Sequence, residues 1–167
     1  MEKIKYLILL LVGFSLLFSA CNHENTMIYH TLPIEKEYEP VIFIYDRSEI
    51  SNEELKEMPN LKLVINSEDE FPENDLMGLE ELKESNIDFR KYTLLLFYYK
   101  LPGIVIDYTP NYAKDFEKNI LIFSLTFHLD ENFLNESETK NPSTYFGYAI
   151  LVSKIQMDEE VVFRLSY

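Results

Sequence analysis

The stretch Tyr92-Thr93-Leu94-Leu95-Leu96-Phe97-Tyr98-Tyr99 constrains this chain most, because both of its alternating sets of side chains are apolar or aromatic. A strand of that kind has to be covered on both faces, so it belongs at the centre of a sheet with a layer above and a layer below. Asn119 to Asp130 makes the complementary demand. Leu121, Phe123, Leu125, Phe127 and Leu129 alternate with Ser124, Thr126, His128 and Asp130, which predicts a half-buried antiparallel strand with one face in water. Twelve Tyr and twelve Phe suit a strand-rich domain.

Shorter signals fill in the order around these two. Val41 to Tyr45 reads as a buried strand ended by Asp46, and Leu61 to Asn66 as another. Ser51-Asn52-Glu53-Glu54 fits a capping box, predicting a short helix over 52–58 that Pro59 ends, and Ser67-Glu68-Asp69-Glu70 repeats the pattern. Leu76, Met77, Leu79 and Leu82 share one face of a predicted helix over 76–84, with Asp75 as its cap. Pro102-Gly103 makes a turn, Ile104 to Tyr108 returns as a strand, and Pro110-Asn111 is expected to break it. After a polar loop over 131–143, residues 144–153 and 161–167 complete the strands. The expected fold is α+β: mainly an antiparallel sheet curled toward a sandwich or barrel, with one or two short helices inserted before the central strand.

The N-terminus points to a compartment. Lys3 and Lys5 precede an apolar run, Tyr6 to Phe18, that is shorter than the roughly 20 residues of a spanning helix. Leu17-Phe18-Ser19-Ala20-Cys21 follows, and it resembles a bacterial lipobox, with Phe18 where Leu is commonest. Residues 1–20 are therefore expected to be a lipoprotein signal peptide and Cys21, the one cysteine of the chain, to carry diacylglycerol and an amide-linked chain such as palmitate. Two acyl chains suffice for stable membrane anchoring. Residues 21–39 are expected to form a lipidated tether, about 60 Å long if extended, and residues 40–167 a single domain. With no second cysteine, that domain folds without an internal disulfide.

Charge narrows the partners. Asp and Glu number 29 against 15 Lys and Arg, for a net charge of −14, which disfavours nucleic acid. No histidine or cysteine pair has zinc spacing, no glycine-rich phosphate loop appears, and His23, His30 and His128 supply no nucleophile system. No cofactor or metal is expected and no catalytic residue is assigned. Asp107 and Glu117 could meet across a sheet as a hydrolytic pair, a reading that ranks below solvated edge charges. The acidic run Glu68 to Asp75 lacks the order of a calcium loop. Tyr98, Tyr99 and Tyr108 flank the Pro102-Gly103 turn and form the expected ligand rim.

Asn86-Ile87-Asp88-Phe89-Arg90-Lys91-Tyr92-Thr93-Leu94-Leu95-Leu96, with Val64 to Glu70 before it and Tyr148 to Lys154 after it, is similar to segments of uncharacterised small lipoproteins of the Bacteroidales. The order of elements also resembles, more remotely, the C-terminal domain of the protease-complex subunit PrcB. The first resemblance implies an antiparallel β domain over about Leu61 to Tyr167, and the second implies protein binding rather than catalysis. The expectation is thus a lipid-anchored protein of the bacterial cell envelope, at the outer membrane. It acts as a non-catalytic binding or assembly module for an envelope protein or glycan, the alternative being a hydrolase or hydrolase inhibitor.

Overall fold

The computed structural model describes residues 29–46, 49–51, 54, 58–73, 76–130 and 142–167. Its strands are β1 (His30–Thr31), β2 (Lys36–Glu37), β3 (Val41–Asp46), β4 (Leu61–Ile65), β5 (Tyr92–Pro102), β6 (Val105–Asp115), β7 (Ile120–Leu129), β8 (Pro142–Ser153) and β9 (Glu160–Ser166). A helix, α1 (Leu79–Glu84), and a 3-10 turn over Glu68–Glu70 accompany them among the described residues. The strands form two sheets, ordered β1-β6-β7-β9 and β2-β8-β5-β4, with β3 also pairing β8. They pack as a sandwich and do not close into a barrel. The α+β architecture, mainly antiparallel, is the one the sequence implies.

β5 has the two buried faces its composition demands. Leu95, Phe97 and Leu101 face the other sheet, where Phe123, Leu125 and Phe127 of β7 meet them, and they share that interior with Phe146, Tyr148 and Ile150 of neighbouring β8. Leu94, Leu96 and Tyr98 face the opposite way, onto Leu76, Leu79 and Leu82 around α1. β5 and β8 pair in unbroken register from Tyr92↔Ser153 to Pro102↔Ser143, the longest ladder among the described residues. Thr144 pins the corner where the chain leaves this sheet for β6: its hydroxyl donates to the Gly103 carbonyl at 2.8 Å and accepts from the Val105 N–H.

Several expectations need correction. The stretch expected as a tether is part of the fold from His30 onward. β1 pairs with β6, the Leu32 N–H donates to the Tyr112 carbonyl, and β2 pairs with β8, so residues 30–37 stitch the edges of both sheets while Leu32 and Ile34 fill the gap between them. Pro110 does not end its strand: β6 runs on to Asp115, with Pro110 opposite Leu125. β1 reaches only Ala113 and Lys114, so among the described residues β6 has no neighbour on that side at Pro110 and the missing N–H costs no ladder bond there. β9 lies parallel to β7, because the chain visits the other sheet through β8 between them.

The helical signals overstate the helix. α1 starts at Leu79 behind Gly78, whose φ of +78° is a conformation glycine adopts without strain. Leu76, Leu79 and Leu82 are buried as expected, but Met77 is exposed. The Ser51–Glu54 capping box forms in both directions, while 52–53 and 55–57 lie outside the described residues, as does Asp75. Ser67 makes no side-chain cap; the Glu70 carboxylate accepts the Asn66 N–H instead.

Candidate functional site

The expected rim of Tyr98, Tyr99 and Tyr108 does not converge. Neighbouring residues of a strand point to opposite faces, so Tyr98 enters the core beside α1, where its hydroxyl donates to the Met77 carbonyl at 2.5 Å and burial pushes its pKa up to about 12. Tyr99 faces the other way and stacks on Phe97 at 5.8 Å. Tyr108 leans edge-on against Phe146 and Tyr148. Asp107 and Glu117 do not meet either, since they sit toward opposite ends of β6, roughly 30 Å apart at strand rise. His128 is exposed on the wet face of β7. Cys21 and His23 lie outside the described residues, and among those residues no group of three His, Cys, Asp or Glu is arranged to hold a metal.

The feature that sequence reasoning misses is the edge formed by β3. That run is expected to be buried, yet Ile42, Phe43 and Ile44 are 45%, 36% and 49% exposed. One side of β3 pairs with β8, from Val41↔Gly147 to Asp46↔Pro142, and among the described residues no strand pairs with the other side. Alternate N–H and C=O groups of an edge strand point away from its only neighbour and are free to bind another strand. An apolar run of five cannot by itself tell an edge from an interior; the usable signal is Pro40 directly ahead of it, since proline clusters at edges.

Side chains divide the edge into two surfaces. Ile42 and Ile44 lie opposite Phe146 and Thr144, on the side of β8 that faces the other sheet. On that side the half-buried Tyr108 of β6 sets its ring 5.1 Å from Phe146, and farther along β6 Ile106 is exposed. Phe43 is on the reverse side and stacks on Tyr45 at 6.1 Å, with Tyr45 anchored in the core around α1. The result is an apolar strand edge that, among the described residues, has no strand on its outer side.

The surroundings are acidic. Glu37 and Glu39 precede β3, Asp46 and Glu49 end it, and Asp107 stands on β6. These charges reach Tyr108: its phenol is raised first by burial and then by the carboxylates of Glu37, Asp107 and Glu39. Lys36 holds its ammonium 4.3 Å over the Tyr38 ring, and Arg47 lies outside the described residues.

Two cavities offer less. One of about 80 Å³ lies between Val41, Gly78 and Tyr98. The other, about 250 Å³, opens between Leu32, Phe116 and Lys154 over the partly buried Lys114–Glu159 ion pair. Burial opposes the Glu159 charge, but the hydrogen bonds from Lys114 and the Gln156 N–H outweigh it and lower the pKa. The polar groups here are already satisfied by the protein: Lys154 donates to the Asn66 carbonyl and Ser153 to Glu35.

No protein-family model, curated protein or solved structure matches the chain. No helix among the described residues is long and apolar enough to cross a membrane.

Proposed function

We propose that this is a lipid-anchored protein of the bacterial cell envelope, held at the outer membrane through Cys21, that binds an extended segment of another envelope protein by strand addition to β3. The single observation that carries the binding role is the free, uncharged edge of Ile42, Phe43 and Ile44. The anchoring role rests on Lys3, Lys5, the apolar run Tyr6 to Phe18 and the lipobox-like Leu17 to Cys21. The remote likeness to the PrcB C-terminal domain supports a binding rather than a catalytic part.

Charge selects the partner. A second copy pairing on β3 would bring together two chains that each carry a net charge of −14, which repel one another. Like charges placed opposite each other weaken a strand pair. A segment with alternating apolar residues and flanking Lys or Arg meets the same edge with complementary charge. Edge main-chain bonds then supply affinity while Ile42, Ile44 and Tyr108 select the side chains.

Two measurements check the two halves. A short peptide of alternating Val and Thr with lysine at each end is expected to protect the Ile42 to Ile44 amides from hydrogen exchange, more weakly as salt rises, and an aspartate-flanked version is not. Ile42→Lys with Ile44→Lys should lower affinity for the basic peptide at least tenfold, about 1.4 kcal/mol, while stability shifts by only about 0.5 kcal/mol per exposed site. Equal binding by the double variant would refute the edge as the site. For the anchor, Cys21→Ser is expected to lose labelled palmitate and leave the membrane fraction; label retained on that variant contradicts acylation at Cys21.

A further inference from the structure

The described chain begins at one end of the sandwich, and that end carries apolar tips. His30 pairs with Lys114 at the close of β6, so Tyr29 lies level with the β6–β7 turn. Phe116 stands in that turn, 60% exposed, with its ring 5.2 Å from the His30 ring. The neighbouring turn between β8 and β9 carries Met157, fully exposed, and the two turns are joined by the Asn119 amide donating to the Asp158 carbonyl and by the Lys114–Glu159 pair. The corner at Pro102-Gly103 is at the other end of β6, about 35 Å away at strand rise.

Seven residues, Asn22 to Ile28, separate Cys21 from Tyr29, and they span at most about 28 Å when fully extended. An acyl chain on Cys21 therefore keeps the Phe116 end within about 28 Å of the bilayer, too short for the domain to stand upright on its far corner. We propose that this end docks on the membrane, with Phe116 and Met157 entering the lipid interface; the proposal rests on acylation at Cys21. The contact is apolar rather than electrostatic. Asp115, Glu117, Asp158, Glu159 and Glu160 outnumber Lys114, Lys118 and Lys154 around the two turns, so a zwitterionic surface is the one that fits. Apolar side chains of surface-bound elements sit about 5–10 Å into the headgroup boundary. The orientation turns the Asp46 end of β3 away from the lipid, where another protein can reach it.

The chain contains no tryptophan, so an introduced indole reports its own surroundings. Phe116→Trp, Met157→Trp and Phe43→Trp, each in the full acylated chain, are mixed with phosphatidylcholine vesicles and with vesicles whose acyl chains are brominated. Docking predicts that the first two float with the vesicles, shift their emission to shorter wavelength and are quenched by bromine. Phe43→Trp floats as well but neither shifts nor quenches, and replacing part of the lipid by an anionic one weakens the shift at the first two positions. Flotation without shift or quenching at Phe116→Trp and Met157→Trp overturns the docking and leaves the anchor standing. Shift at all three overturns the orientation, and failure of the acyl-labelled chain to float overturns the anchor and the docking with it.

Discussion

Gly147→Ala is expected to destabilise the domain by about 1–3 kcal/mol, the range for overpacking a filled core, and Gly147→Val by more. Gly147 on β8 pairs with Tyr98 on β5, and the tyrosine ring lies across it. A Cβ added there would stand 2.8 Å from Cδ1 of that ring and closer still to Cε1, well inside van der Waals contact. The ring is held at its hydroxyl and on one face. Its hydroxyl is tied to the Met77 carbonyl at 2.5 Å, and its face rests on Tyr145 at 5.7 Å, itself tied through its hydroxyl to the Pro59 carbonyl. Urea melts would measure the loss directly. Because the cost is a clash between two residues, Gly147→Ala should cost distinctly less in a Tyr98→Leu background. Additive costs would mean that the glycine matters for some reason other than this ring.

The second large effect appears in alkali. Burial raises the phenols of Tyr98, Tyr112, Tyr145 and Tyr148, and for Tyr148 the Glu37 carboxylate adds to it by accepting the hydroxyl at 2.6 Å. A tyrosine in the unfolded chain ionises near pH 10, whereas Tyr98 holds its proton to about pH 12 in the fold. Between those values the unfolded state has released a proton that the folded state retains, so stability is full below about pH 10 and falls as pH rises. At about 1.4 kcal/mol per pH unit, easing off as the folded group itself ionises, Tyr98 alone contributes a loss of about 2 kcal/mol by pH 12. With three further buried phenols raised in the same direction, unfolding should arrive as a steep transition above pH 10, coincident with a burst of tyrosinate absorbance. Tyr98→Phe should flatten part of that fall. Smooth titration of all twelve tyrosines with the fold intact would contradict the burial of these rings.

The two strongest strands are legible because their patterns leave one solution each. β5 is apolar on both faces and lies between β8 and β4 under two layers; β7 alternates and keeps Thr126 and His128 in water. Punctuation residues are less reliable. Pro110 signals a break, yet a strand that lacks a neighbour on its N–H side tolerates proline, and whether β6 has a neighbour there depends on how far β1 reaches. The expected rim fails for a related reason: Tyr98, Tyr99 and Tyr108 are close in sequence to one turn, but the pleat sends Tyr98 into one core and the other two toward the second.

Val41 to Tyr45 shows where local pattern ends. Its composition requires a strand and forbids a loop, and β3 is that strand. The same composition suits an interior strand and an apolar edge equally, because hydrophobicity reports what a segment would gain by being covered, not whether this chain covers it. The patterns of β5 and β7 determined one strand covered on both faces and one covered on a single face, since apolar faces must be removed from water wherever they occur. Only the tertiary structure decided that residues 30–37 stitch the sheets together and that, among the described residues, no strand pairs with the outer side of β3. Those are choices of pairing partner, made between segments far apart in the chain, and no single stretch of sequence encodes its partner.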